Sequence, residues 1–93
     1  MREEDEERLR LLKAKLDEHH TWPSVYMYKF VVPTDEKKIN QIHRIFGESA
    51  EFRERLSKKG NYTSITVREM MLSADDIFDR YREVSKIDGV ISL

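Results

Sequence analysis

Six basic residues share a spacing that suits anion binding. Lys29 lies in one alternating stretch, Arg53 and Arg55 in a second and Arg68 in a third, with Lys58-Lys59 between the last two. In extended chain, residues two apart point to the same side. The pattern therefore gathers these cations on one sheet surface, where they can hold carboxylates or phosphates. Ser64 and Thr66 share that parity, and Gly60, Asn61 and Tyr62 close the strip at one end. The candidate binding residues are Lys29, Arg53, Arg55, Lys58, Lys59, Gly60, Asn61, Tyr62 and Arg68.

Other chemistry is thinly represented. His19, His20 and His43 are the only histidines. Adjacent residues on a helix point about 100° apart, so His19-His20 makes a poor chelate, and no metal site is expected. The chain has no cysteine, which removes thiolate metal sites, disulfides and cysteine nucleophiles. No nucleophile–base pair and no phosphate loop is visible. A protein that is not an enzyme, with no cofactor, is the expectation.

Ninety-three residues support one domain, which must bury most of its apolar side chains. Seventeen Lys and Arg nearly cancel eighteen Asp and Glu, for a net charge of -1. The distribution is uneven. Residues 1–20 hold seven acids and five bases, and the remaining 73 hold eleven acids and twelve bases. No apolar run approaches the roughly 20 residues of a membrane helix. The acidic Glu3 to Glu7 run is unlike a cationic, then apolar, signal peptide. A cytoplasmic location and no membrane association are expected.

The elements that must position these residues follow from periodicity. Residues 1–21 form a charged helical extension, with Leu9, Leu12 and Leu16 as a narrow stripe and Leu11 beside it. It is either a solvated tail or an acidic helix laid over the open sheet face, within one chain or across a dimer. Thr21-Trp22-Pro23-Ser24 ends that helix, and Trp22 is expected to cover the core.

Residues 22–93 form the domain proper. Val25 to Val32 is a central strand, with Tyr26, Tyr28, Phe30 and Val32 on one face and Val25, Met27, Lys29 and Val31 on the other. A helix follows Thr34 or Asp35 as cap, burying Ile39, Ile42, Ile45 and Phe46, with Gly47 as its C-terminal stop. Residues 50–71 read as a hairpin turning at Lys59 to Tyr62, which pairs Leu56 with Ile65 and Arg55 with Thr66. Glu54 and Glu69 then fall on the apolar side, near strand ends or beside a bulge. Ser73 caps a second helix that buries Ile77, Phe78, Tyr81, Val84 and Ile87. Asp88-Gly89 turns into a last strand, Val90 to Leu93.

The order is a helix, then β-α-β-β-α-β. This predicts an α+β, ferredoxin-like two-layer sandwich: a four-stranded antiparallel sheet with two helices on one face. The other face is left open, and function is sought there.

Residues 22–93 resemble the YbeD-like proteins, a bacterial domain-of-unknown-function family. The resemblance rests on Trp22-Pro23, Tyr28-Lys29, the hairpin Ser57-Lys58-Lys59-Gly60-Asn61-Tyr62-Thr63-Ser64, and Lys86-Ile87-Asp88 followed by Val90 and Leu93. It implies a fold similar to ACT regulatory domains, which bind small effectors near a glycine-containing turn after the first strand. The corresponding turn here, Pro33-Thr34-Asp35, has no glycine. The reading that follows is a small regulatory or interaction module that associates with a protein partner or with itself. The alternatives are RNA binding through the basic strip and a small-ligand sensor. Only Tyr62 follows Lys59-Gly60 where RNA-recognition domains carry alternating aromatics.

Overall fold

A computed structural model describes residues 3–93. It contains helix α1 (Glu3–His19), strand β1 (Ser24–Pro33), helix α2 (Glu36–Ile45), strands β2 (Glu51–Leu56) and β3 (Tyr62–Met71), helix α3 (Ala74–Ser85) and strand β4 (Ile91–Ser92). The fold is α+β, with a four-stranded antiparallel sheet in the order β2-β3-β1-β4 and three helices. This is consistent with the ferredoxin-like sandwich.

Both predicted caps are present. The Asp35 carboxylate accepts from the Lys37 N–H at 2.9 Å, and the Ser73 hydroxyl accepts from the Asp76 N–H at 3.2 Å. Strict alternation along β1 buries Tyr28, Phe30 and Val32 and exposes Val25, Met27 and Lys29. The buried set meets Ile42 from α2 and Phe46 just after it, Ile65 and Val67 from β3, and Ile77 and Val84 from α3 with Ile87 just after it. Tyr28 is the centre of an aromatic cluster, 4.7 Å from Tyr26, 5.0 Å from Phe46 and 5.1 Å from Tyr81 between ring centroids. Such edge-to-face pairs add to the burial of the rings. Trp22 packs against this core, and its indole N–H donates to Asp17 at 2.8 Å.

Four local expectations are corrected. The hairpin register lies two residues from the predicted one: Leu56 faces Thr63 and Arg55 faces Ser64. Within the turn Gly60 alone takes a left-handed φ, +75°, so Lys58 to Asn61 form a four-residue loop closed by Ser57 N–H to Tyr62 C=O at 2.8 Å. A two-residue slip preserves the faces, so Glu54 and Glu69 still point toward the helices, with no break in the register.

Gly47 is not a left-handed helix stop. α2 ends where Phe46 turns extended, with φ −92° and ψ 155°. The Gly47 N–H donates to Glu69 Oε2 at 2.6 Å, and a Cβ there would lie 2.7 Å from that oxygen. Any larger residue would have to push the Glu69 carboxylate off its contact.

α1 does not lie over the open sheet face. It packs beside α3, with Leu16 against the core and Lys13 2.9 Å from Asp75. The Asp75 carboxylate holds the Lys13 ammonium above its ordinary pKa. The last strand is shorter than expected. Gly89 takes φ +81°, Val90 packs against the core, and only Ile91 and Ser92 pair as strand.

The two carboxylates on the helix side are each answered by a cation or an imidazole. Glu54 Oε2 is 2.8 Å from His43 Nε2, and His43 stacks on Phe52 at 4.0 Å. Glu69, only 4% exposed, sits with Oε1 2.9 Å from Arg80 Nη2. That contact is an ion pair lacking hydrogen-bond geometry, since Oε1 has no hydrogen-bond partner. Arg80 also donates to the Ile45 carbonyl and lies 5.5 Å over the Phe46 ring. The cluster ties α2, β3 and α3 together.

Candidate functional site: the open sheet face

Alternation sends the odd-numbered residues of β1 and β2 and the even-numbered residues of β3 away from the helices. Register then arranges them in rows. Lys29, Thr66 and Arg53 stand side by side. Val31, Ser64 and Arg55 form the next row, extended by Ile91 on β4. Met27, Arg68 and Glu51 flank the first row on its other side, with Val25 and Met70 beyond. Adjacent strands lie about 4.8 Å apart, so the Lys29 and Arg53 backbones are about 10 Å apart. An anion held midway lies about 5 Å from each, inside the roughly 8 Å Debye length at physiological salt, so the cations act on it together.

The structure brings Lys29, Arg53, Arg55 and Arg68 together on this face, all exposed. Lys58 and Lys59 stand at the hairpin turn beside it, also exposed. Tyr62 occupies the corner, 49% exposed, so it is less covered than a packed aromatic. Gly60 and Asn61 serve the turn: the Gly60 N–H donates to Ser57 C=O, and the Asn61 C=O accepts from the Thr34 N–H at 2.9 Å. That bond ties the hairpin to the start of α2.

The electrostatics are lopsided. Glu51 is the single carboxylate whose register position lies on the face. Ion pairs among the described residues engage Lys13, His43, Arg80, Arg82 and Lys86, and none involves Lys29, Arg53, Arg55 or Arg68. A hollow of 580 Å³ opens at the centre, lined by Lys29, Arg53, Arg55, Ser64, Thr66 and Leu93, with Glu54 also on its wall. A second of 430 Å³ adjoins Val25, Arg68 and Met70 together with Glu51 and Glu69, and a third of 360 Å³ adjoins Val31, Lys58 and Tyr62.

Chemically, such a face offers charge-assisted donors beside exposed apolar side chains. It can hold an anionic group and an aliphatic one at once. No group of three or more His, Asp or Glu side chains placed to hold a metal occurs among the described residues. No helix among them is long and apolar enough to cross a membrane.

Sequence reasoning missed Met70, Ile91 and Leu93 as members of this face, exposed by 52, 54 and 73%. Continuing the alternation past Arg68 places Met70. Ile91 on β4 and Leu93 after it needed the edge pairing, in which the Leu93 N–H donates to the Lys29 carbonyl at 2.9 Å.

A family model described as "Protein of unknown function (DUF493)", the same family as the YbeD-like proteins, matches residues 17–93. The match includes every candidate site residue and leaves out most of α1. No curated protein and no solved structure matches the chain.

Proposed function

The chain belongs to the DUF493 family, and we propose that it is a binding module that takes an acidic segment of a partner protein on its open sheet face. The observation that carries this reading is the group of cations without ion-pair partners among the described residues, Lys29, Arg53, Arg55 and Arg68, set among exposed Val25, Met27 and Met70. Exposed apolar surface next to uncompensated charge of one sign marks a recognition surface for a complementary partner.

In this reading the module is regulatory rather than catalytic, its fold is ferredoxin-like and ACT-like, and it works in the cytoplasm. Two copies stacked face to face would bring eight cations together, which disfavours self-association through this surface. The nucleic-acid alternative draws on the same cations. It would have to do without a stacking platform, because Tyr62 is the one aromatic whose register position lies on the face. A small-ligand sensor is the third reading.

The experiment is capture from cells that express the protein, with and without RNase, comparing wild type with Arg53→Glu/Arg55→Glu. A partner protein retained at 150 mM salt, resistant to RNase and lost in the variant is the expected result. Retention of RNA with a steep salt dependence would favour the alternative. Equal capture by the variant would contradict both.

A further inference from the structure

The open sheet face leaves the helix side of the molecule unused, and that side carries a cavity of a different character. α1 and α3 lie together without closing on each other. A groove of 460 Å³ runs between them, walled by Leu9, Leu12 and Leu16 from α1 and by Ile77 and Phe78 from α3. Packed interiors leave few voids larger than a water, and small-molecule sites span about 300–1,000 Å³.

The polar groups on these walls are one ammonium, two imidazoles and two phenols, each able to donate a hydrogen bond. Lys15, His19 and His20 line the groove, and no carboxylate among the described residues does. Lys15 and His19 are exposed and form no ion pair among the described residues. Tyr26 and Tyr81, also on the wall, share one hydrogen bond at 3.1 Å between their hydroxyls. That bond uses one phenol proton. The other has no acceptor among the described residues and remains a donor. Burial, and then the hydrogen bond to Tyr26, hold the Tyr81 phenol above its ordinary pKa, so it stays protonated.

We propose that the groove between α1 and α3 binds a free single-chain amphiphile with an anionic head, a carboxylate on a medium-length alkyl chain. The chain lies along the leucines and Phe78. The head meets the Lys15 ammonium, the imidazole donors and the unused phenol donor. Most of α1 lies outside the family match, so one wall of this site is an addition to the family's domain.

The test uses the full chain and decanoate below its micelle concentration, with decanol as the neutral-head control, read by calorimetry and by melting temperature. One decanoate per chain should bind and raise the melting temperature by mass action, with decanol at least tenfold weaker. Lys15→Glu/His19→Glu should weaken decanoate tenfold or more and leave decanol unchanged. Leu12→Trp, at an exposed position, should fill the groove and abolish both, and Leu9→Trp repeats the block should Leu12→Trp fail to fold. Arg53→Glu/Arg55→Glu, on the opposite face, should change nothing. Absence of saturable decanoate binding would overturn the proposal. So would equal binding of decanoate and decanol, binding that survives the tryptophan blocks, or binding to anionic vesicles with none of monomeric decanoate.

Discussion

Glu69 is the carboxylate whose removal should cost most. It is buried, its Oε2 accepts the Gly47 N–H, and its Oε1 pairs with Arg80. Breaking one partner of a buried pair leaves the other uncompensated, at about 3 kcal/mol. Glu69→Ala should lower the urea midpoint accordingly. Gly47→Ala should destabilise too, because the new methyl meets Glu69 Oε2 at 2.7 Å. An unchanged midpoint in both would remove the clamp from the account. The tyrosines make a second prediction. Burial raises the Tyr28 and Tyr81 phenols above the ordinary value of 10.0, so the folded state favours the protonated form. The unfolded chain ionises first, so their stabilisation is complete below pH 10.0 and is lost as pH rises above it. Lys13, raised above 10.5 by Asp75, loses its share in the same alkaline range. Urea midpoints at pH 9, 10 and 11 should fall. Tyr28→Phe and Tyr81→Phe should each flatten the fall, and parallel curves would contradict the assignment.

At the scale of elements, what could be read depended on how local the cause was. Ser73 and Asp35 cap helices through their own side chains, so short polar residues before an apolar period were sufficient to place them. Alternation in β1 assigned every face correctly, because the period of a strand is fixed by its geometry. The hairpin register was not readable. It turned on whether Asn61 joins Gly60 in a left-handed conformation, and it does not. The position of α1 was hidden for another reason. A leucine stripe says that one face is buried and nothing about which neighbour buries it; here the neighbour is α3. Met70 and the β4 residues joined the candidate surface only through pairing with distant strands. Because α1 adds only Leu16 and part of two other leucines to the buried surface, deleting residues 1–16 should cost about 1–2 kcal/mol. Scanning calorimetry should then show one cooperative transition about 5–10 °C lower. Failure to fold would make α1 integral to the core, and an unmoved transition would make its packing inconsequential.

For the whole molecule, the two sides differ in kind. The helix side is closed by an aromatic core and grooved at α1, while the sheet side presents cations and aliphatic side chains to solvent. A net charge of -1 conceals this division. Thr66, between Lys29 and Arg53, is the position from which a bound partner is nearest. The most direct measurement is photo-crosslinking in living cells from a reactive residue placed at Thr66, with Asp79 on α3 as the control position. The account predicts a discrete adduct from Thr66, absent from Asp79, whose linked segment is protein and rich in Asp and Glu, and which Arg53→Glu/Arg55→Glu abolishes. An adduct of equal yield from Asp79, an adduct to RNA, or no adduct at Thr66 would contradict it.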